Sequence, residues 1–455
     1  MKAYSYIKTF TCVFCILMLV ILMGCNRNDI HIGDLPPEYQ ANVTGNITVS
    51  YPMHIAMDDE SRLSMQGFAR AFMDKYKGAS VTIDFADYGN KEVRIASGDI
   101  GDVYWMGEEE TYTNAITHNS LMALDAYIEI LGIDISNVYS GIYNLGIADA
   151  RLYMVPRDHN HIVFFYNVDA LNEVGLATPP DDWTWEMFKD YCRKLTVEEA
   201  DGTYSRIGGT WHISWGPNLI PFLEGWGGKW FDDVNKKVLF VSDEKVLKGF
   251  SELVGVIDDG LVRPDGVSGN FMSKYAKLNV EDTVFRAGVF PGLYQAGLEY
   301  QSKGVNWNIA NWPRFPVHRV GTGATGFGVY NRTKRPDTAA AFCLFLFTDE
   351  GQRAYHEQVG GSVPLTKNLA MEDFWRIPWP KDKINYDAFI SYPEADTVGK
   401  FQCRLQDSVA SIILSRINNV FEAHLSGRTD YKDSLGEIEK LATEKWETLF
   451  EGERT

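Results

Sequence analysis

The chain has 455 residues, 45% hydrophobic, 13% aromatic and 23% charged, a globular composition that excludes an intrinsically disordered chain and leaves room for two domains or more. Lys and Arg number 43 against 61 Asp and Glu, a formal charge of −18, so repulsion excludes nucleic acid and anionic lipid headgroups as primary partners. A mean hydropathy of −0.20 with a single long apolar run excludes a multi-span membrane protein.

That run, residues 9–23, follows Lys2 and Lys8 and ends in Leu22-Met23-Gly24-Cys25. It is too short to span a bilayer comfortably. A basic start, an apolar middle and a small residue before a cysteine resemble a bacterial lipoprotein signal. On that resemblance residues 1–24 are removed, Cys25 carries a diacylglyceryl thioether with palmitate-type chains, and the body is lipid-anchored on the extracytoplasmic face of the cell membrane. Residues 25–45, with Gly33, Pro36, Pro37 and Gly45, read as a flexible tether. Maturation leaves 41 basic and 61 acidic residues, a charge of −20. The C-x-x-C of Cys12 and Cys15 is lost with the signal, and Cys192 and Cys343 lie in helical apolar patterns as small core residues, so neither a disulfide framework nor a zinc site is expected.

The body opens as β-α-β-α-β. Residues 47–51 alternate as a strand, 64–76 place Met65, Phe68, Ala69 and Phe72 on one helical face, 81–85 alternate again, 92–97 are helical, and 102–106 form a short apolar strand. Such alternation requires parallel pairing, with ligands beyond the carboxyl ends of the strands, where Asp59, Asp87 and Glu108 fall. A second lobe begins after Pro156. Six of the twelve tryptophans, at 183, 185, 211, 215, 226 and 230, follow within it. Thr184 caps a helix through Phe188, and further helices are predicted at 243–256, 336–347 and 406–450.

Gly321-Thr322-Gly323-Ala324-Thr325-Gly326 matches G-x-G-x-x-G, but Phe327-Gly328-Val329-Tyr330 after it alternates as a strand, so no helix N-terminus receives a pyrophosphate. The glycines instead let backbone run close to another lobe or a ligand. His159 and His161 flank Asn160 without a third metal ligand nearby, and no metal or cofactor is called for. The aromatic excess is more telling. Sugars present flat C–H faces and hydroxyls, which suit rings combined with carboxylates and amides, as in Trp105 beside Glu108-Glu109, Asn160 beside Asp158, and Trp211 and Trp215 near Asn218. Trp183, Trp185 and Trp446 are assigned to packing.

These pieces, with Ala96-Ser97-Gly98-Asp99, Phe165-Tyr166-Asn167, Pro291-Gly292-Leu293-Tyr294, Phe347-Thr348-Asp349-Glu350-Gly351-Gln352 and Gly361-Ser362-Val363-Pro364 in order, resemble the extracellular solute-binding proteins of ATP-driven importers, family 1, in the branch containing maltose-binding protein. The resemblance implies a type II periplasmic-binding-protein fold: two α/β lobes, each a mostly parallel sheet flanked by helices, at 46–157 plus 315–366 and 158–314 plus 367–455, with a hinge between them. It implies a monomeric protein that captures a carbohydrate, foremost an oligosaccharide, and hands it to ABC permease subunits with a cytoplasmic ATPase, without catalysis. It places Asp59, Asp87, Trp105, Glu108, Asn160, Trp211, Trp215 and Tyr294 at the ligand. Glu109 stands where the maltose protein has an arginine, and residues 412–414 lack a stacking tryptophan. Competing readings are an exported glycoside-active enzyme and a surface sugar sensor partnering a receptor.

Overall fold

The computed structural model describes residues 35, 38–51, 59–85, 91–358, 362–392, 397–401 and 405–452. Cys25, Asp87, Cys403 and the side chain of Asp59 lie outside it. The chain forms two sheets of the same pattern. In the first, β1 (Gly45–Ser50), β2 (Ala79–Asp84) and β3 (Val103–Gly107) run parallel, joined by α1 (Asp59–Lys75) and α2 (Lys91–Ser97), as the alternation requires. The sheet is completed by β4 (Met154–Pro156) and by a strand that arrives much later in the chain.

The second sheet begins with β5 (Val163–Asn167) and continues, after α3 (Trp185–Leu195), with β6 (Tyr204–His212), α4 (Gly216–Glu224), α5 (Glu244–Asp258), β7 (Val262–Asp265), β8 (Thr283–Gly288), α6 (Leu293–Ser302) and β9 (Trp307–Asn311). Its order is β7-β6-β8-β5-β9, with the first three parallel and β5 antiparallel to both neighbours. The short β10 (Val320–Gly321) is followed by β11 (Thr325–Val329), which returns to the first sheet and gives it the matching order β2-β1-β3-β11-β4, with β11 antiparallel to both neighbours. In each sheet the reversed strand is the one laid down just after the chain crosses from the other lobe.

Packing follows from residue type. In the second lobe Phe164 stacks between Phe188 (5.2 Å, 8°) and Trp312 (4.9 Å, 14°), and Trp183 and Trp185 are buried beside them. Thr184 caps α3 by accepting from Met187 N, and Asp243 caps α5 from Lys245 N and Val246 N. Cys192 and Cys343 are fully buried core thiols. The first-lobe core joins Phe68 and Phe72 of α1 to Phe342 of α7 (Pro336–Leu344) and to Phe345. Next comes α8 (Asp349–His356). After it, β12 (Thr397–Val398) pairs with β10, and the predicted helix at 406–450 is two, α9 (Asp407–Leu425) and α10 (Tyr431–Gly452). Among the described residues no helix is long and apolar enough to cross a membrane.

Two crossing segments lie side by side, 157–161 outward and 322–324 inward, tied by Ile162 N to Gly321 O (2.9 Å), Arg157 N to Thr325 O (3.0 Å) and Thr322 Oγ1 to Asn160 O (2.8 Å). The return therefore falls later than the boundary at 315 expected from sequence, because β10 stays bound to β12. The glycines here have a steric reason. A Cβ on Gly321 would come within 1.7 Å of Pro217 O, and one on Gly326 within 2.1 Å of Val155 O. Gly321→Ala is expected to destabilise the protein by about 1–3 kcal/mol through backbone displacement. An unchanged urea midpoint would show that the crossing yields freely.

Candidate functional site

At the carboxyl end of β3 the chain turns through Glu108, Glu109 and Glu110, and these three neighbours meet different fates. Glu108 points inward and is 1% exposed; its Oε2 accepts from Ala324 N in the crossing and its Oε1 from Lys400 N at 3.2 Å. Burial pushes its carboxyl up to about 7, against the opposing pull of Lys400. Glu109 faces outward, and its Oε2 is 2.7 Å from Lys400 Nζ. Glu110 pairs with Lys91, whose ammonium lies over the Trp105 ring 5.4 Å from its centroid.

Lys400 follows β12, which is bound to the second lobe through β10, so its contacts to Glu108 and Glu109 join the two lobes. They close one side of a cavity of about 310 Å³ between the lobes. The second lobe supplies its other walls: His212 from the end of β6, Ser214 and Trp215 from the loop after it, and Leu414, Ile417 and Asn418 from α9. Asn218 Nδ2 donates to His212 O (3.0 Å) and holds that loop in place. The volume sits at the lower end of the range of about 300–1,000 Å³ usual for small-molecule sites. An indole, an aliphatic wall, an amide and a carboxylate–ammonium pair can stack on a ring and exchange hydrogen bonds with hydroxyls. Among the described residues no group of three or more His, Cys, Asp or Glu is placed to hold a metal.

Of the residues named from sequence, Trp215 lines this cavity. Trp105 is half-buried against the first-lobe core and meets Phe327 across β11. Glu108 does not face the cavity: it anchors backbone, and its half-buried neighbour Glu109 takes the place in the cavity lining. Trp211 is a core residue, 2% exposed and stacked on Phe222 at 6.2 Å, because strand alternation turns position 211 inward, whereas position 215 lies past the strand end. Asn160 belongs to the crossing. Its Nδ2 donates to Asp158 Oδ1 (2.8 Å) and its Oδ1 accepts from Ser362 Oγ (2.8 Å). Tyr294 leans on Trp379, 6.2 Å between ring centroids, outside the cavity lining. His159 and His161 are buried beside each other, His161 Nε2 lying 2.8 Å from Thr397 Oγ1. Lys400, Asn418 and His212 carried no signal in the sequence, since a lone Lys in a loop looks like any solvated Lys.

A family model described as bacterial extracellular solute-binding protein matches residues 59–353, more than half of the chain. The chain belongs to this family. It is a family of binding proteins rather than enzymes, and an extracytoplasmic one. The galactooligosaccharide-binding protein of Bacillus subtilis (strain 168) is 23% identical to this solute-binding protein over 235 residues, 49% of this chain and 52% of the relative, so the match spans about half the relative's length. The sugar-binding protein MalE of Xanthomonas citri superposes with a TM-score of 0.71 at 14% identity over 90% of this chain and 99% of that one. An ABC substrate-binding protein of Listeria monocytogenes in complex with cycloalternan gives a TM-score of 0.67 at 16% identity, covering 88% and 99%. These solved structures share the two-lobed α/β fold of the solute-binding protein.

Proposed function

We propose that this protein captures an oligosaccharide in the cavity between its lobes and delivers it to an ABC permease with a cytoplasmic ATPase, while anchored to the membrane through lipid on Cys25. The observation that carries the reading is the convergence of Trp215 from the second lobe and Glu109 from the first on a single cavity, with Lys400 pairing Glu109 across the lobes. A ligand that touches both walls binds the closed arrangement better than an open one, and that difference is what closes a hinge. The printed descriptions of the relatives, a galactooligosaccharide-binding protein and a protein complexed with cycloalternan, support the ligand class. On this reading Trp105, on β3 of the first sheet, completes the first-lobe wall.

The test is titration of purified residues 26–455 with a panel of galacto-, malto-, manno- and cello-oligosaccharides, read by tryptophan fluorescence and melting temperature. At least one sugar is expected to raise the melting temperature in a dose-dependent way. Trp215→Ala is expected to weaken that sugar by about 1–3 kcal/mol, roughly 5- to 150-fold, with the unliganded melting temperature little changed. A panel without a single hit, or a Trp215→Ala variant of undiminished affinity, would count against the site.

A further inference from the structure

A second cavity, larger than the cleft at about 840 Å³, lies at the other end of the second lobe. Its position follows from register: Trp307, in its wall, pairs with Asn167 at the end of β5 farthest from the crossing, which enters β5 at Val163. Its volume is inside the range of small-molecule sites. We infer that this cavity, walled by Trp307, Trp379 and Asn308, is a second carbohydrate site that takes a neutral oligosaccharide independently of the cleft.

Three features are built for it. The indoles of Trp307 and Trp379 stand at 88° to each other with centroids 5.8 Å apart, a corner that offers a flat face to the C–H side of a sugar ring and a second ring to its flank. Both rings are held. Trp307 stacks on the buried Tyr300 at 16° and 5.9 Å, while Trp379 lies against Gly297 of α6, where a Cβ would come within 2.4 Å of its ring. The Trp379 backbone is clamped at both ends by one hydroxyl: its N–H donates to Tyr386 Oη (3.0 Å), and that hydroxyl donates to its C=O (3.1 Å).

Asn308 supplies an oriented donor. Its Oδ1 accepts from Ile309 N (2.8 Å) and Asn385 N (2.7 Å), which fixes the amide plane and leaves the Nδ2 hydrogens for a hydroxyl. Among the described residues lining the cavity Lys383 alone is charged, on a chain of net charge −18, so the site makes no demand for an anionic sugar. A proline-rich peptide also packs on aromatic grooves, but it prefers a run of parallel ridges rather than a perpendicular corner with a fixed amide.

The experiment is indole N–H nuclear magnetic resonance on the full mature body with β-1,4-galactotetraose, maltotetraose and cellotetraose as probes, the twelve indole signals being assigned by Trp→Phe substitution. At least one sugar is expected to shift the Trp307 and Trp379 signals saturably, and to do so equally in Trp215→Ala, which separates this site from the cleft. Trp379→Ala should weaken the second binding event roughly tenfold and leave the cleft affinity within about twofold. Gln301→Trp, which fills the cavity from its exposed rim without touching the core, should abolish the event even if Trp379→Ala folds poorly. The inference is overturned if no sugar moves these two signals while the cleft responds, if the shifts vanish in Trp215→Ala, or if hexaproline moves them and the sugars do not.

Discussion

Arg157→Met is expected to destabilise the protein by about 3–5 kcal/mol, because it leaves a charge buried without its partner. Asp158 is 0% exposed, and Arg157 Nε lies 2.9 Å from its Oδ2. The guanidinium also donates to Tyr51 Oη (2.9 Å) and Tyr355 Oη (3.2 Å), so one side chain binds the outward crossing to the residue that follows β1 and to α8. Burial pulls the Asp158 carboxyl upward, and Arg157 is what opposes it. Without Arg157 the carboxyl must take up a proton or draw in water, so the deficit should grow with rising pH. The double variant Arg157→Met with Asp158→Asn should recover most of the loss, since the Asn oxygen still accepts from Asn160 and carries no charge. Urea denaturation of the three proteins at neutral pH checks this. A single variant within about 1 kcal/mol of the parent would mean the pair is hydrated.

Glu108→Gln is expected to change how stability depends on pH. The folded carboxyl is pushed up to about 7 from its ordinary 4.5, with burial the first cause. Between those two values the folded protein binds the proton more tightly than the unfolded chain, so stability falls as pH rises through this window and levels off above it. The shift corresponds to about 3 kcal/mol. Gln cannot ionise, so the variant should lack this fall. His356 works in the opposite sense. Its Nδ1 accepts from Ser362 N (2.9 Å), so its Nε2 donates to Arg157 O (3.1 Å), and burial holds it down to about 3. A depressed imidazole adds stability that is present above its unfolded value and lost as pH falls. Since His356 is present in both proteins, the difference between parent and Glu108→Gln isolates the carboxylate. A constant difference from pH 4 to 8 would show that Glu108 is solvated or locked in one charge state.

What was legible in the sequence was local. Alternation at 47–51 and 81–85 and helical spacing at 64–76 correspond to β1, β2 and α1 within a few residues, since period and side-chain direction are local geometry. Thr184 was readable as a cap for the same reason, and the rejection of a nucleotide loop at 321–326 rested on the strand that follows it. The helical segment 406–450 divides into α9 and α10 at Ser426-Gly427-Arg428, where Gly427 has a φ of +70°.

Which acid and which tryptophan reach the cavity was decided by tertiary structure alone. Glu108 and Glu109 are adjacent and chemically identical, yet one accepts backbone N–H groups from residues more than two hundred positions away and the other meets Lys400 across the lobes. Trp211 and Trp215 differ only in lying before or after the end of β6, a boundary that composition does not mark. The amino-acid order determined the elements, the two-lobed class and the family, because those follow from periodicity and from motifs in sequence. The site was assembled from loops that the two crossings bring together, and its geometry depends on contacts between residues far apart in the chain, which no local pattern encodes.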